Sequence, residues 1–153
     1  MRKIKQMMII SMAFIAGAIL LLYFGGFFKN RQISGLPEKN KLSFIEIYGD
    51  FNEDRNKHHK IESKEDISEI YDVLLSAKRS RIIESGNDVP VNISGRLVKM
   101  VLTYSDNDYG RTLFAYQGDY GKYYIESPYQ GIYKISSDKY EILTQYFMKD
   151  NNL

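Results

Sequence analysis

An uncharged run near the N-terminus constrains this 153-residue chain more than any other feature. Between Met7 and Phe28 there are 22 consecutive residues without a charged side chain, reading MMIISMAFIAGAILLLYFGGFF. As a helix with about 1.5 Å of rise per residue, the run is long enough to cross the roughly 30 Å hydrocarbon core of a bilayer. We therefore predict a transmembrane helix over residues 7–28.

The charges that flank this run predict its orientation. Three basic residues precede it and two follow it, namely Arg2, Lys3, Lys5, Lys29 and Arg31. Because basic residues are enriched on the cytoplasmic side of membranes, this bias favours residues 1–6 in the cytoplasm and the rest of the chain outside the cell. The expected localisation is the cell membrane, with a single pass and an extracytoplasmic C-terminal part.

A cleaved signal peptide is the alternative interpretation of the same run. Its apolar segment is normally shorter and ends at a site with the pattern small-x-small. The Ala16-Gly17-Ala18 sequence has this pattern but lies in the middle of the run, where cleavage would leave an apolar tail. An uncleaved signal anchor is therefore preferred. An inverted topology would make the C-terminal part cytosolic.

Net charge argues against a nucleic-acid partner. The chain has 21 basic and 19 acidic residues, and three of the basic residues lie in the first 28 positions. The part that follows the apolar run therefore carries 18 basic and 19 acidic residues. A nucleic-acid surface needs an excess of basic residues, which this part lacks.

The polar segment after the run, residues 29–41, contains Gly35 and Pro37 and shows no apolar period, which predicts a linker. Residues 42–51 have apolar residues on both faces of a strand, and His58 to Ile61 can form a short returning strand. We predict that a folded extracytoplasmic domain occupies residues 42–153.

An amphipathic helix is predicted from Lys64 to Lys78. Ser63 and Asp66 have the spacing of a capping box, and apolar residues then recur on one stripe: Ile67, Ile70, Tyr71, Leu74 and Leu75. A small basic cluster follows, formed by Lys78, Arg79 and Arg81. These cations suit the negative end of the helix dipole, and the alternative is a site for an anion or a lipid headgroup.

The C-terminal half changes to a period of two. Four runs alternate in this way and are separated by turn sequences, at residues 96–104, 111–117, 122–126 and 132–135. A short helix capped by Ser136 or Ser137 follows, with an apolar side made of Tyr140, Leu143, Tyr146 and Phe147. The predicted fold class is α+β, with an antiparallel β-meander packed on one face by two amphipathic helices and facing water on the other.

The tyrosine-rich stretch YYIESPYQGIYKIS, residues 123–136, allows two interpretations. Successive side chains of a strand point to opposite faces, so Tyr123 and Ile125 should face the core while Tyr124 and Glu126 face outward. The stretch is then mainly the interior of a sheet. The alternative is an exposed row formed by Tyr116, Tyr124 and Tyr129, which we name as the candidate partner-binding surface.

Residue types that support catalysis or metal binding are sparse. There is no cysteine, and the two histidines, His58 and His59, are adjacent and would point to opposite sides of a strand. His58 could bind a metal with Glu53, Asp54 or Glu62, but a solvated loop pair is the default interpretation. Residues 50–61 begin like a calcium loop but hold Arg55 where glycine is needed. We expect no metal, no cofactor and no enzymatic activity.

Two longer sequences carry a resemblance to a known family. KYYIESPYQGIYKIS, preceded by SKEDISEIYDVLLSAKRS and by NDVPVN, resembles an uncharacterised family that is known only as a domain of unknown function. The likeness covers residues 42–147. The resemblance implies a small extracytoplasmic protein of Gram-positive bacteria of the Firmicutes, behind a signal sequence or a membrane anchor. It implies no activity and no catalytic residues.

Two functions are compatible with these observations. The first is a membrane-anchored recognition module that binds a protein, a peptide or a cell-wall polymer. The second is a cell-envelope hydrolase that uses acidic residues from the set Asp106, Asp108, Asp119 and Glu126. Two carboxylates that converge in a pocket would favour the hydrolase, and carboxylates on solvated turns favour recognition.

Overall fold

The computed structural model of the chain describes Gly17 and residues 32–49, 58–80, 86–91, 93–105 and 107–148, with the backbone alone at 107–109. The predicted transmembrane segment, residues 7–28, lies outside this description except for Gly17, which is helical. Within the described part of the chain, no helix is both long and apolar enough to cross a bilayer. The chain divides into two units, Met1–Arg31 and Gln32–Leu153, and the sheet belongs to the second.

In the described residues of this second unit, one antiparallel sheet of seven strands has the order β2-β1-β4-β5-β6-β7-β3. The strands are β1 Leu42–Tyr48, β2 His58–Ile61, β3 Lys78–Arg79, β4 Leu97–Tyr104, β5 Asn107–Gly118, β6 Lys122–Ser127 and β7 Gly131–Ile135. The predicted meander is confirmed as β4 to β7, because these strands pair in chain order. The two-residue strand β3 was not predicted, and it pairs with β7 through Arg79 and Tyr133.

Two α-helices in the described part of the second unit, α1 Lys64–Ser76 and α2 Ser137–Met148, confirm the other half of the α+β prediction. The backbone N–H of Asp66 donates to Ser63 Oγ at 3.3 Å, so the predicted cap forms. The helix ends before Lys78, where the prediction placed its end, because Lys78 and Arg79 leave it to pair with β7 as an edge strand. These basic residues therefore lie outside the last turn of α1.

Both helices pack on one face of the sheet. The core between them is formed by side chains from the sheet and from both helices. Its largest fully buried side chains include Ile45, Ile47, Ile70, Leu74, Met100, Leu113, Ile125, Tyr133 and Leu143. The apolar stripe of α1 is rotated from its predicted position, since Val73 is buried while Leu75 is exposed. Tyr71 lies at the edge of the stripe and donates its hydroxyl to the carbonyl of Pro37 at 2.7 Å.

The opposite sheet face is not uniformly in water, which corrects the prediction. Residues 86–91 and 93–95, here called the crossing segment, pack over the β5–β6 side through Val89 and Ile93. Ser94 N–H donates to the carbonyl of Gln117 at 2.9 Å and holds one end of this segment. We call the side under the crossing segment the covered half and the β2-β1-β4 side the open half.

The predicted linker, residues 29–41, is part of the folded unit from Gln32 onward. Ile33 is buried in the helix-side core, and Leu36 packs against it from a partly buried position. Gly35 has a φ of +66°, in the left-handed region where a side chain is strained. The folded domain therefore begins about ten residues before the predicted start at Leu42, because the polar appearance of this segment concealed its two apolar anchors.

Candidate functional site

The structure separates the two adjacent tyrosines of β6 as their alternation predicts. Tyr123 faces the helices, where its ring centre lies 4.8 Å from that of Tyr140. Tyr124 faces the opposite side and lies across from Tyr116 of β5, with ring centres 5.8 Å apart. The predicted register is confirmed, but its expected consequence, an outward and wet Tyr124, is wrong.

Tyr116 and Tyr124 are buried, with 5% and 7% of their surfaces exposed, so they cannot form the exposed row predicted with Tyr129. They belong to a second apolar cluster in the covered half, together with Leu97 and Phe114. The physical reason is the crossing segment, which lies over this half and removes it from solvent. Of the three candidate residues, the structure leaves only Tyr129 on the surface.

A buried hydrogen bond lies within this cluster. Tyr116 Oη donates to Glu126 Oε2 at 2.9 Å, and only 4% of Glu126 is exposed. Burial is the main cause that raises the pKa of the Tyr116 phenol well above its usual value, and the charge and hydrogen bond of Glu126 add to it. The hydroxyl therefore stays protonated and neutral while it stabilises the carboxylate, which is a structural role for both groups.

The acidic residues proposed for the hydrolase alternative do not converge among the described residues. Glu126 is used by Tyr116, and Asp119 is exposed in the turn between β5 and β6. Asp106 lies outside the described residues, and only the backbone of Asp108 is described. The part of the chain that the structure describes also contains no cluster of three His, Asp or Glu side chains that could hold a metal ion.

Tyr129 lies in the turn between β6 and β7 and is 66% exposed. Its φ of 60° is in the left-handed region, which is uncommon for a residue with a bulky side chain. Tyr129 Oη donates to Asp88 Oδ1 at 2.5 Å, and this hydrogen bond raises the pKa of Tyr129. The bond holds the second end of the crossing segment, and most of the surface of Tyr129 is exposed.

Tyr120 was missed by the sequence analysis and has the same features in a stronger form. It lies in the turn between β5 and β6, is 93% exposed and has a φ of 61°. Gly121, the next residue, is also left-handed. The signal was present in GDYG, where a tyrosine occupies a turn position that asparagine or glycine normally takes.

His58 of β2 contacts the open half rather than a metal cluster. Its ring stacks on Tyr48 with centres 5.1 Å apart, and His58 Nε2 lies 3.8 Å from Glu46 Oε1. Glu53 and Asp54, which the sequence analysis paired with it, lie outside the described residues. The contacts that are described give this histidine a role in covering an aromatic ring.

Arg79 and Arg111 form a further polar region, on the helix side of the sheet near the turn between β6 and β7. Arg79 was part of the predicted basic cluster, and it lies beside Gly131. Arg111 was not singled out, and its guanidinium donates to Ser127 Oγ and to Gln130 Oε1. Lys78 is exposed on the opposite side of β3, and Arg81 lies outside the described residues.

Comparison with known proteins gives a family but no activity. No curated protein and no solved structure is significantly similar to the chain. A family model, DUF5301, with the description "Domain of unknown function (DUF5300)", matches residues 29–134. The match begins before β1 and ends within β7, so it includes the sheet and α1 but not α2. Because it spans more than half of the chain, this protein belongs to that family of domains of unknown function.

Proposed function

We propose that this protein is a single-pass membrane protein whose α+β domain lies outside the cell and binds a protein, a peptide or a cell-wall polymer without catalysing a reaction. The membrane part of the proposal rests on the uncharged run over residues 7–28 and on the basic residues before it. The recognition part rests on the surface tyrosines of the domain.

The observation that carries the recognition function is the pair Tyr120 and Tyr129. Both side chains are exposed, both residues are left-handed, and they lie in the turns at the two ends of β6. A left-handed conformation costs a residue with a side chain roughly 1–2 kcal/mol, and glycine or asparagine would remove much of that cost. Tyrosine at both turns is therefore unfavourable for folding and favourable for contact with a partner, since its rigid ring contributes a large amphipathic surface.

The positions of the two tyrosines at opposite ends of β6 fit an extended ligand. β6 has six residues, Lys122–Ser127, so its ends are separated by roughly 17 Å at about 3.3 Å per residue. The crossing segment lies alongside β6 between these ends, and Val91 is exposed on it. A peptide strand or a glycan chain has the length to touch both tyrosines, whereas a small molecule does not.

Substitution of the surface tyrosines tests the recognition function. Binding of the full-length chain, in detergent micelles, to purified cell-wall sacculi and to envelope proteins would be compared with that of Tyr120→Asn and Tyr129→Ser. Removal of a tyrosine that anchors an interface costs about 2 kcal/mol or more, so we expect roughly thirtyfold weaker binding. Tyr120→Asn should keep or raise thermal stability, because asparagine tolerates the left-handed conformation.

The matched control is Leu75→Ser, which removes an exposed apolar side chain from α1 on the other side of the domain. It should bind as the unsubstituted chain does. Equal binding by Tyr120→Asn, Tyr129→Ser and the control would overturn the tyrosine surface.

Topology is tested separately, with protease added to intact protoplasts. Degradation of the domain while residues 1–6 stay protected is expected, with the protein retained in the membrane after a carbonate wash. A protected domain would overturn the extracytoplasmic location, and a soluble fragment that starts after Phe28 would show cleavage.

A further inference from the structure

Two arginines converge on one corner of the helix-facing side of the sheet. Arg111 is on the same side of β5 as the buried Leu113, because residues two apart in a strand share a face. Arg79 pairs with the fully buried Tyr133, so its side chain also starts on this side. The side chains of this corner start on the face of the sheet opposite to the crossing segment, which contacts Tyr129.

Arg111 is a half-buried cation whose partners are neutral. Its Nη2 donates to Ser127 Oγ at 2.9 Å and also to Gln130 Oε1, and neither acceptor is charged. Burial lowers the pKa of Arg111, since the charged form loses solvation. The ion pairs of the described residues include neither Arg111 nor Arg79. A guanidinium that is removed from water in this way is stabilised by a negative charge beside it.

Arg79 approaches the same corner from the edge of the sheet. A Cβ atom placed on Gly131 would lie 3.4 Å from Arg79 Nη2 and 3.6 Å from Tyr133 Oη, so these two groups surround one point in front of Gly131. Gly131 in turn pairs with Ser127, which receives the hydrogen bond from Arg111. Strands β6 and β7 therefore lie between β5, which carries Arg111, and β3, which carries Arg79.

The hydroxyl of Tyr133 supplies the third observation. Tyr133 is fully buried, and its Oη accepts the backbone N–H of Ser34 at 3.1 Å. The guanidinium groups of Arg79 and Arg111 lie near this hydroxyl, and guanidinium groups are donors only. Among the described residues the proton of this hydroxyl has no acceptor, although a buried hydroxyl normally has one. The donors at this corner therefore need an acceptor beyond those that the described residues provide.

We propose that Arg79, Arg111 and Tyr133 Oη form a binding site for a phosphate group. Phosphate is preferred to carboxylate because the three donor groups come from three different strands, β3, β5 and β7, and a phosphate offers three or more oxygens to them. Two guanidinium charges also match the double negative charge of a phosphate monoester better than the single charge of a carboxylate.

The rim of the site allows a ligand to enter. Ser34, Gly35, Arg79 and Gln130 are exposed around the buried hydroxyl. Gly35 has no side chain to block the approach, and a Cβ there would lie only 2.8 Å from Arg111 Nη1. Glycine at this position therefore leaves room for the guanidinium of Arg111, which a residue with a side chain would crowd. The site does not depend on the tyrosine surface, and the two can fail independently.

The experiment is a titration of the full-length, ¹⁵N-labelled chain in maltoside micelles, which contain no phosphate. Amide resonances of Ser34, Gly131 and their neighbours would be followed as inorganic phosphate, glycerol 3-phosphate or acetate is added at constant ionic strength. We expect saturable shifts with phosphate and much weaker ones with acetate. Saturation with glycerol 3-phosphate as well would assign the site to phosphate esters, and saturation with inorganic phosphate alone would assign it to the free ion.

Single substitutions assign the donors. Arg79→Gln and Arg111→Gln should each weaken phosphate binding by about ten- to a hundredfold, as expected for the loss of a charge-assisted hydrogen bond. Lys78→Gln is the matched control, since it removes the same charge from the same strand but on the opposite face. It should leave binding unchanged. Tyr133→Phe should weaken binding while the amide spectrum outside the site is preserved.

Two results would overturn the proposal. One is the lack of saturable shifts with either phosphate compound. The other is equal weakening by Lys78→Gln and Arg79→Gln, which would show attraction to net charge without a site. If Arg111→Gln does not fold, the phosphate affinity of Arg79→Gln tests the proposal by itself. Arg79 is exposed on a two-residue edge strand, so its substitution should not prevent folding.

Discussion

The covered and open halves of the second sheet face share strand β4 and a similar content of aromatic residues, yet they differ in what lies over them. In the covered half, Phe114, Tyr116 and Tyr124 lie under the crossing segment and are buried. In the open half, Phe44 and Tyr48 are half-buried, and the described residues that contact their rings do so through side chains. The difference is set by where the chain crosses the sheet, and strand sequence does not encode it.

Long basic side chains take the place of the crossing segment in the open half. Lys60 Nζ lies 4.3 Å from the ring centre of Phe44, and Lys99 Nζ lies 4.9 Å from that of Tyr48. These positions combine a cation–π attraction with burial of the aliphatic stems against the rings. Aromatic residues on a sheet face are thus shielded in two ways within one molecule, and neither way requires a partner.

The largest expected effect contrasts Tyr124 with Tyr48. Tyr124→Ala should lower the free energy of unfolding by about 3–5 kcal/mol, because it leaves a cavity beneath the crossing segment. Tyr48→Ala should cost about 1 kcal/mol, since its ring already contacts water. Chemical denaturation of both variants measures the difference. Similar losses for the two would show that the open half is also covered in solution.

Removal of the buried carboxylate should have the next largest effect. Glu126→Ala deprives the Tyr116 hydroxyl of its acceptor and should cost about 1–3 kcal/mol. Glu46→Ala in the open half should cost less than about 1 kcal/mol, because its contact with His58 is solvated. Adding Tyr116→Phe to Glu126→Ala should recover part of the loss. A double variant that is no more stable than Glu126→Ala would contradict the assigned hydrogen bond.

Alkaline pH should weaken the hydrogen bond between Tyr116 and Glu126 in the covered half. Folding raises the pKa of Tyr116, so its contribution to stability is complete below the unfolded value of about 10 and decreases as pH rises above it. Thermal melts between neutral pH and about pH 11 should show a steeper loss for the unsubstituted chain than for Tyr116→Phe. Parallel curves would mean that Tyr116 ionises as freely in the folded domain as in the unfolded chain.

The smallest expected effect lies in the open half itself. Lys60→Ala removes the ammonium group over Phe44 and should cost about 0.5–1 kcal/mol, typical of an exposed cation–π contact. Lys60→Met keeps most of the stem and should recover part of that loss. Differential scanning calorimetry of the three chains checks this order of stability. Identical melting temperatures for Lys60→Ala and the unsubstituted chain would show that the cation–π contact does not stabilise the domain.

The periodic parts of the fold were predictable from sequence, and the parts that depend on distant segments were not. Alternation identified β4 to β7, and the cap at Ser63 identified the start of α1. The edge strand β3 has two residues and therefore no period to detect. Tyr124 was assigned to the correct face, but its burial depends on the crossing segment, whose placement over that face has no local signature.

The same limit applies to the candidate sites. Arg111 looks like any alternating residue of a strand, because the groups that surround it come from Gly35, Ser127 and Gln130 in three separate segments. Tyr120 could have been recognised, since a tyrosine before a glycine in a tight turn indicates a left-handed residue. A candidate site residue in a tight turn can therefore be predicted from sequence. A site whose residues come from separate segments can be found only in the tertiary structure.

The pairing of β1 with β4 also has a consequence for the order in which the domain folds. Strands β4 to β7 are joined by short turns, so their contacts form at a small cost in loop-closure entropy. Ile45 meets Leu102 only after α1 and the crossing segment have been placed between them along the chain. We therefore expect the meander to form early, with the β1–β2 hairpin docking on its exposed β4 edge in the slow step. Until then β4 is an unprotected strand edge, and the nascent domain is most prone to associate with other copies of itself.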